Sequence, residues 1–187
     1  MKNFSIAALL LLTAAFSFGQ APKPALSTSK SDVYVGYIAT SPDYGGFYNI
    51  RFDGGEVSYS HSVGAHLAIA ATGALSFNSA LNVKQFSGTL GPKYNFLTGR
   101  VRPYVTAQAG FAYQSSNNLY AADHHPKLAL KTTDTESGLT YRLGAGVDYQ
   151  VTRRFYWRVA QWDIQPMPWG RHMPYYLNLS SGVGFQF

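Results

Sequence analysis

The sequence predicts an all-β fold, an eight-stranded antiparallel up-and-down β-barrel that spans a membrane and follows a cleavable signal peptide. Three observations predict this fold. Apolar and polar residues alternate along most of the chain, the connections between the alternating segments are short and long in turn, and the composition is aromatic and weakly charged. Aromatic residues make up 16% and charged residues 13% of the 187 residues, whereas an ordinary soluble domain contains ~25% charged residues.

The first segment has the order of a secretory signal peptide. A positive charge at Lys2 precedes a short apolar stretch, and small residues follow it; the apolar stretch is shorter than the ~20 residues of a spanning helix. We predict cleavage after Gly19, with Ala21 as the alternative, and export through the Sec pathway. A segment rich in Pro and Ser follows, which predicts a flexible lead-in. The predicted parts are a signal peptide (1–19), the flexible lead-in (20–31) and the barrel (32–187).

Eight segments of the remaining chain alternate with a period of two residues, which is typical of strands whose two faces differ. The clearest is 139–151, in which one parity is entirely apolar and the other carries Thr, Arg, Gly, Asp and Gln. The predicted strands span 32–41, 54–62, 65–74, 83–96, 101–115, 137–150, 153–165 and 174–187.

The seventh predicted strand departs from simple alternation. Trp157 and Asp163 have the same parity, although one is apolar and the other charged. A β-bulge near Ala160 would bring Arg158, Gln161 and Asp163 to one face, because a bulge inserts one extra residue into a strand. We therefore predict a bulge at this position.

The predicted connections after strands two, four and six are tight, and those after strands one, three, five and seven are long. The long ones lie at about 41–53, 74–82, 115–136 and 165–174. Antiparallel strands with tight turns at one end and long loops at the other are typical of bacterial outer-membrane barrels. This arrangement predicts that both chain termini lie in the periplasm of a Gram-negative cell envelope.

The contents of the two faces predict which one contacts lipid. The polar parity is rich in Gly, Ala, Ser and Thr, and we expect it to carry all the charged residues of the strands, because the lumen of an eight-stranded barrel has room only for its own side chains. A Lys or Arg on the lipid face near the midplane costs ~2–4 kcal/mol. We therefore assign the apolar parity to lipid, with Tyr and Trp near the strand ends as aromatic girdles. The predicted polar network of the lumen comprises Glu56, Lys93, Arg102, Arg142, Asp148, Arg158, Gln161 and Asp163.

The strand layout and four motifs resemble the OmpA-like eight-stranded outer-membrane barrel domains. The motifs are GPKYNF at 91–96, GAGVDY at 144–149, RVAQWD at 158–163 and GVGFQF at 182–187. The resemblance implies that Val183, Phe185 and Phe187 form part of the signal read by the barrel-assembly machinery. Because the sequence ends at Phe187, we expect the barrel only, without the peptidoglycan-binding domain of the full-length relatives.

Enzymatic chemistry finds little support in the sequence. Cysteine is absent, which excludes disulfides, thiolate–metal sites and cysteine nucleophiles. Hydrolase, zinc-protease and phosphate-loop motifs are also absent. We interpret Asp123, His124 and His125 as a solvated loop, because adjacent histidines rarely converge on one metal ion. We therefore predict no catalytic residues, no cofactor, no metal and no enzymatic activity.

These observations favour a structural or surface-interaction role, with any specific recognition carried by the long loops. Two alternatives stay open: a narrow pore and an enzyme that modifies lipid A. We expect a monomer whose partners are outer-membrane lipid, lipopolysaccharide and the barrel-assembly machinery. The scattered net charge of +6 is not the footprint of a nucleic-acid-binding protein. The loop cations that we expect to contact lipopolysaccharide phosphates are Arg51, Lys127, Lys131 and Arg171.

Overall fold

The eight strands close into one antiparallel barrel, in which each strand pairs with its neighbours in sequence and the first pairs with the last. This computed structural model describes residues 31–42, 51–79, 83–117, 133–167 and 175–187. The predicted fold class is confirmed, while the predicted signal peptide and almost all of the lead-in lie outside the described residues. The strands are β1 (Ser31–Pro42), β2 (Phe52–Ser62), β3 (Leu67–Asn78), β4 (Val83–Asn95), β5 (Val101–Asn117), β6 (Thr133–Gln150), β7 (Phe155–Pro166) and β8 (Tyr175–Gln186).

The apolar parity faces outward and the polar parity faces the lumen, as predicted. Along β6, for example, Leu139 is 69% exposed while Arg142 is 1% exposed. The aromatic residues that we expected in the girdles all lie on the outer surface, and Tyr141 and Tyr175 contact each other through their hydroxyls at 3.4 Å. Because the barrel is closed, no strand has an open edge, and the backbone N–H and C=O groups of each strand can form hydrogen bonds with its two neighbours. A chain surrounded by hydrocarbon requires this, since no water is present to hydrogen-bond these groups. None of the described ranges contains a helix that is long and apolar enough to cross a membrane.

The predicted bulge in β7 is confirmed. Val147 pairs with Ala160 but Asp148 pairs with Arg158, so the β6–β7 register shifts past Val159. The β7–β8 register shifts over the same part of β7. Because the bulge adds one residue, the alternation is restored after it, and both Gln161 and Asp163 are buried in the lumen.

The ends of the barrel differ in one respect from the prediction. The connection between β3 and β4 is short, because β3 continues to Asn78 and only 79–82 separate the two strands; the predicted long loop at 74–82 was wrong. The alternation simply continues, with Leu75 and Phe77 exposed and Ser76 buried. We call the end with the connections 63–66, 96–100 and 151–154 the turn end, and the opposite end the loop end.

The outer surface also carries charges that the sequence analysis did not assign to it. Asp53 and Lys84 face outward, next to Phe77 on the strand between them. All three lie at the loop end, where outward side chains reach the membrane interface rather than the hydrocarbon midplane. The expectation that the outer parity is free of charge was therefore wrong at this rim.

The barrel lumen as a candidate functional site

An ionic network occupies the middle of the lumen and starts near the turn end with Asp148. Lys93 Nζ lies 2.8 Å from Asp148 Oδ2, and Arg158 Nε lies 2.9 Å from Asp148 Oδ1. These side chains come from β4, β6 and β7, and each is at least nine-tenths buried. Asp148 therefore accepts hydrogen bonds from two cationic side chains, one on each carboxylate oxygen.

The second half of the network centres on Arg142. Its Nη2 atom bridges the carboxylates of Glu56 on β2 and Asp163 on β7. Gln161 Nε2 donates to both oxygens of Asp163 at 3.0 and 2.9 Å. Arg158 Nη1 lies 3.9 Å from Glu56 Oε1 and joins the two halves. The bulge in β7 is what allows both Gln161 and Asp163 to point inward.

The formal charges of this network cancel, because its cations and carboxylates are equal in number. The cations are Lys93, Arg142 and Arg158, and the carboxylates are Glu56, Asp148 and Asp163. Burial of an ion costs several kcal/mol unless the ion is paired and hydrogen-bonded. The network therefore depends on every member: removal of one leaves an uncompensated charge in the lumen.

Buried tyrosine rings cover the cations of the network. The Arg158 guanidinium lies 3.9 Å from the ring centroid of Tyr34, and Lys93 Nζ lies 4.0 Å from that of Tyr104. Cations over ring faces are stabilised by the ring quadrupole. Glycine makes room for these rings, since a Cβ on Gly146 would lie 2.5 Å from the Tyr104 hydroxyl oxygen. These tyrosines were not among the predicted residues of the lumen network, although Tyr104 shares the parity of Arg102.

Seven of the eight predicted lumen residues meet in this network, and Arg102 does not. Arg102 lies at the turn end, and its guanidinium stands 5.3 Å from the ring centroid of Tyr156. With the Gln186 amide oriented so that its oxygen faces the guanidinium, that oxygen accepts from Nη1 at 2.7 Å and from Nη2 at 2.9 Å. Arg102 is thus separated from the ionic network although its backbone pairs with that of Asp148.

Amide and hydroxyl side chains pack against one another in the lumen towards the loop end. Gln85 Nε2 donates to Gln114 Oε1 at 2.9 Å, and Ser76 Oγ donates to Gln85 Oε1 at 3.1 Å. At this layer and beyond it, apolar side chains form a buried cluster that we call the apolar cap. The apolar cap comprises Phe52, Val83, Ala112, Met167 and Tyr176.

The residues predicted for the assembly signal lie on the outer surface beside the β1–β8 seam. Val183 and Phe187 are exposed, and Phe185 is half-buried. The Phe185 ring packs against Phe155 at 5.1 Å and against Phe187 at 6.2 Å between ring centroids. The structure places them together, and their role in assembly stays a prediction.

The histidines that the structure describes lie at the turn end and hold local structure. His61 Nδ1 lies 2.9 Å from Ser31 Oγ, and His66 Nδ1 lies 2.8 Å from the Asn95 carbonyl oxygen. Across the described ranges, no three His, Asp or Glu side chains are placed to hold a metal ion. The run 123–125 and His172 lie outside the described residues.

An apolar outer surface around a filled polar lumen defines an integral membrane β-barrel. A family model described as the outer membrane protein beta-barrel domain matches residues 7–163, and the chain belongs to this family. The resemblance to OmpA-like eight-stranded barrels is thereby confirmed, and the bacterial outer membrane is the location that the family indicates. No curated protein sequence matches the chain.

Three solved structures illustrate the likeness. Neisserial surface protein A (NspA) has a TM-score of 0.62 at 16% identity, and the match covers 84% of this chain and 96% of that chain. Ail, the attachment invasion locus protein of Yersinia pestis, has a TM-score of 0.57 at 16% identity, covering 85% and 99%. The N-terminal β-barrel domain of Pseudomonas aeruginosa OprF has a TM-score of 0.54 at 20% identity, covering 85% and 98%. At these identities the likeness shows the fold alone.

Proposed function

We propose that this outer-membrane barrel is a closed scaffold with a structural and surface-interaction role. Its turn end and both chain termini lie in the periplasm, its loops lie at the cell surface, and its lumen conducts no solute. The observation that carries the proposal is the filled lumen, in which a neutral ionic network, a layer of amides and hydroxyls and the apolar cap follow one another.

Conductance tests the closed lumen directly. A barrel of eight strands has room for its own side chains and little else, and opening this one would separate buried ion pairs from their partners. Purified protein in a planar bilayer is expected to show no steady conductance beside a large porin measured as the positive control. A reproducible channel of nanosiemens size would contradict the proposal and favour the narrow pore.

Tag accessibility tests the orientation. An epitope tag inserted within 118–132, between β5 and β6, is expected to bind antibody on intact cells. The matched tag within 96–100, between β4 and β5, is expected to bind only after the outer membrane has been permeabilised. The opposite pattern would place the turn end at the cell surface and overturn the orientation.

We propose that lipopolysaccharide is the lipid partner at the loop end. An outward groove of about 990 Å³ has Ala39, Ala145, Trp162, Leu177, Leu179 and Arg51 among its lining residues. Small and apolar side chains suit an acyl chain, and an arginine suits a phosphate. Arg51 Nη2 donates to the Tyr37 hydroxyl at 2.7 Å, and this hydrogen bond and that from Arg51 Nε to Asp53 raise the pKa of Arg51.

Lipopolysaccharide in the membrane is expected to raise the unfolding temperature of the protein above that in phospholipid alone, because ligands that bind only the folded state stabilise it. The Arg51→Gln variant is expected to lose part of this increase. Arg154→Gln, in the turn 151–154 at the other end, serves as the matched control and keeps the full increase. Equal increases for wild type and Arg51→Gln would contradict a role of Arg51 in this contact.

The role of the loops in recognition is tested by replacement. Ail is named for attachment, and loops on a rigid scaffold commonly carry binding residues. Cells that express the barrel with 118–132 replaced by a tight turn are expected to lose adhesion to cultured animal cells. Replacement of the short connection 79–82 is the matched control, and unchanged adhesion in both variants would rule out the recognition role of 118–132.

The proposed role of the last strand in assembly is tested by the yield of folded protein. Val183, Phe185 and Phe187 are expected to act as a signal, so Phe187→Ala lowers the amount of heat-modifiable barrel in the membrane. The same substitution is expected to leave refolding of the purified protein in detergent unchanged. If Phe187→Ala lowers both the amount of folded barrel in the membrane and the refolding yield in detergent, Phe187 contributes to the stability of the barrel and not to an assembly signal.

The proposal includes neither catalysis nor oligomerisation. The mass of lipid A from expressing cells is expected to match that from cells without the protein, and crosslinking in the membrane is expected to yield a monomer. A missing or additional acyl chain would establish the lipid A-modifying alternative.

A further inference from the structure

The lumen opens at the turn end into a cavity of about 370 Å³. Lys93 and Asp148 of the ionic network form its inner boundary, and Arg102 lines its wall. Arg100 and Arg153, from two of the turns, line its mouth. A cavity of this size is comparable with small-molecule sites, which occupy ~300–1,000 Å³.

The charges in this cavity do not balance in the way that the network does. Four cationic side chains line it, Lys93, Arg100, Arg102 and Arg153, against the carboxylates of Asp32 and Asp148. The excess is therefore positive, and it lies on the side that opens to solvent.

Both carboxylates are already engaged by other partners. Asp148 holds Lys93 and Arg158. Asp32 accepts from the Tyr156 hydroxyl at 2.7 Å and from the Ser60 hydroxyl at 2.5 Å. In addition, none of the ion pairs within the described part of the chain includes Arg100, Arg102 or Arg153.

Arg102 is the most unusual of the three. Its Nε atom is buried without a hydrogen-bond partner among the described residues, and its terminal nitrogens have the neutral Gln186 amide oxygen as their acceptor in the orientation given above. A buried donor without a partner lowers the stability of the folded protein, and more so when the donor is charged. An arginine guanidinium also presents planar donors that match a carboxylate or a phosphate in two parallel hydrogen bonds.

We propose that the turn-end cavity binds a small anion that carries phosphate or carboxylate groups. Arg102 is the anchor on the cavity wall, and Arg100 and Arg153 attract the anion at the mouth. The inner boundary rejects deeper entry, because Lys93 and Asp148 are already paired. The partly enclosed wall strengthens the attraction over that of an arginine in water.

Calorimetric titration of the purified full barrel in uncharged detergent tests the proposal, with inorganic pyrophosphate and citrate as separate probes. Saturable binding at one site that weakens with added salt is expected for at least one probe. Binding of pyrophosphate alone identifies a phosphate ligand, binding of citrate alone identifies a carboxylate ligand, and binding of both identifies their shared anionic chemistry. Absence of saturable binding of either probe up to about 10 mM would overturn the proposal.

The Arg102→Gln variant is expected to weaken binding about tenfold, because it removes the guanidinium that anchors the anion on the cavity wall. Arg153→Gln, in an exposed turn, is expected to weaken it about threefold through lost attraction alone. Arg154→Gln is the matched control, since Arg154 is on the same turn but does not line the cavity. Folding of each variant is checked by heat-modifiable mobility. If Arg102→Gln does not fold, the affinity of Arg153→Gln is the result that tests the proposal. Equal affinity in wild type, Arg102→Gln and Arg153→Gln would assign any binding to another surface and overturn the proposal.

Discussion

The inner and outer faces of the same strands differ in their charged side chains. Inside, the charged side chains of the ionic network are buried and paired, as with Arg142 between Glu56 and Asp163. Outside, among the strand side chains that the structure describes, Asp and Lys are found at the loop end, at Asp53 and Lys84. The comparison teaches that the lumen is sensitive to the loss of a charge, whereas the outer wall is sensitive to the gain of one, since the two faces meet different surroundings.

The largest effect is expected from removal of a lumen charge. Arg142→Met leaves Glu56 and Asp163 without their shared cation and is expected to lower the free energy of unfolding by ~3–5 kcal/mol. Urea unfolding in lipid vesicles measures it. Lys84→Met removes an outward cation and is the matched control, expected to change the free energy by less than ~1 kcal/mol. Equal decreases in the free energy of unfolding of Arg142→Met and Lys84→Met would contradict the claim that lumen charges matter more than outward ones.

Addition of a charge to the outer wall comes next. Leu90 lies near the centre of β4 and is 58% exposed. Leu90→Arg is expected to cost ~2–4 kcal/mol in the same unfolding measurement, because an arginine there enters hydrocarbon. Phe77→Arg, at the loop end, is expected to cost ~0–1 kcal/mol. An exposed leucine on a water-facing surface would tolerate arginine, so a negligible effect of Leu90→Arg would contradict the lipid assignment.

The two faces also differ in the space available for an added side-chain atom, and the expected effect on stability is smaller. A Cβ on Gly184, inside, would overlap the buried ring of Tyr156, whereas a Cβ on Gly73, outside, would meet no atom within 4 Å. Gly184→Ala is expected to destabilise by ~1–3 kcal/mol through overpacking. Gly73→Ala is expected to be neutral or slightly stabilising, because alanine has less backbone freedom to lose than glycine. Unfolding curves that coincide for both variants would show that the lumen has spare room.

The smallest effect is expected at the exposed outer pair of Arg51 and Asp53, whose side chains are 61% and 49% exposed. Asp53→Asn is expected to leave the unfolding curve unchanged within error, because exposed ion pairs contribute little. Asp148→Asn, its inner counterpart, is expected to shift the curve clearly, since it withdraws the charge that holds Lys93 and Arg158. Similar shifts at both positions would remove the distinction between the faces.

Most of the wall could be predicted from the sequence, because the alternation of side chains states directly which residues share a face. The bulge near Ala160 was predictable for the same reason: Asp163 on the parity of Trp157 is a conflict that one extra residue resolves. The length of β3 was underestimated because only one short pair of alternating residues, Leu75 and Phe77 against Ser76 and Asn78, follows Ala74. Ser76 and Phe77 continue the alternation without a charge to mark which face is which.

The contents of the lumen were predictable as a set but not as pairs. Parity places Lys93, Asp148 and Arg158 inside, whereas their pairing depends on the stagger between strands, which is fixed only when the barrel closes. The same stagger separates Arg102 from the network. The apolar cap was hidden for a different reason: it combines Phe52 at the start of a strand with Met167 from a loop, and no local pattern connects them.

The central claim is that hydrocarbon contacts the apolar parity. The chain contains no cysteine, so single cysteines at Val105, Ala107 and Ala109 of β5 each carry one spin label on an otherwise unlabelled barrel. In lipid vesicles these labels are expected to be accessible to oxygen and shielded from a water-soluble paramagnetic reagent. Labels on the outward face that are accessible to the water-soluble reagent and not to oxygen would contradict the assignment of this wall to lipid.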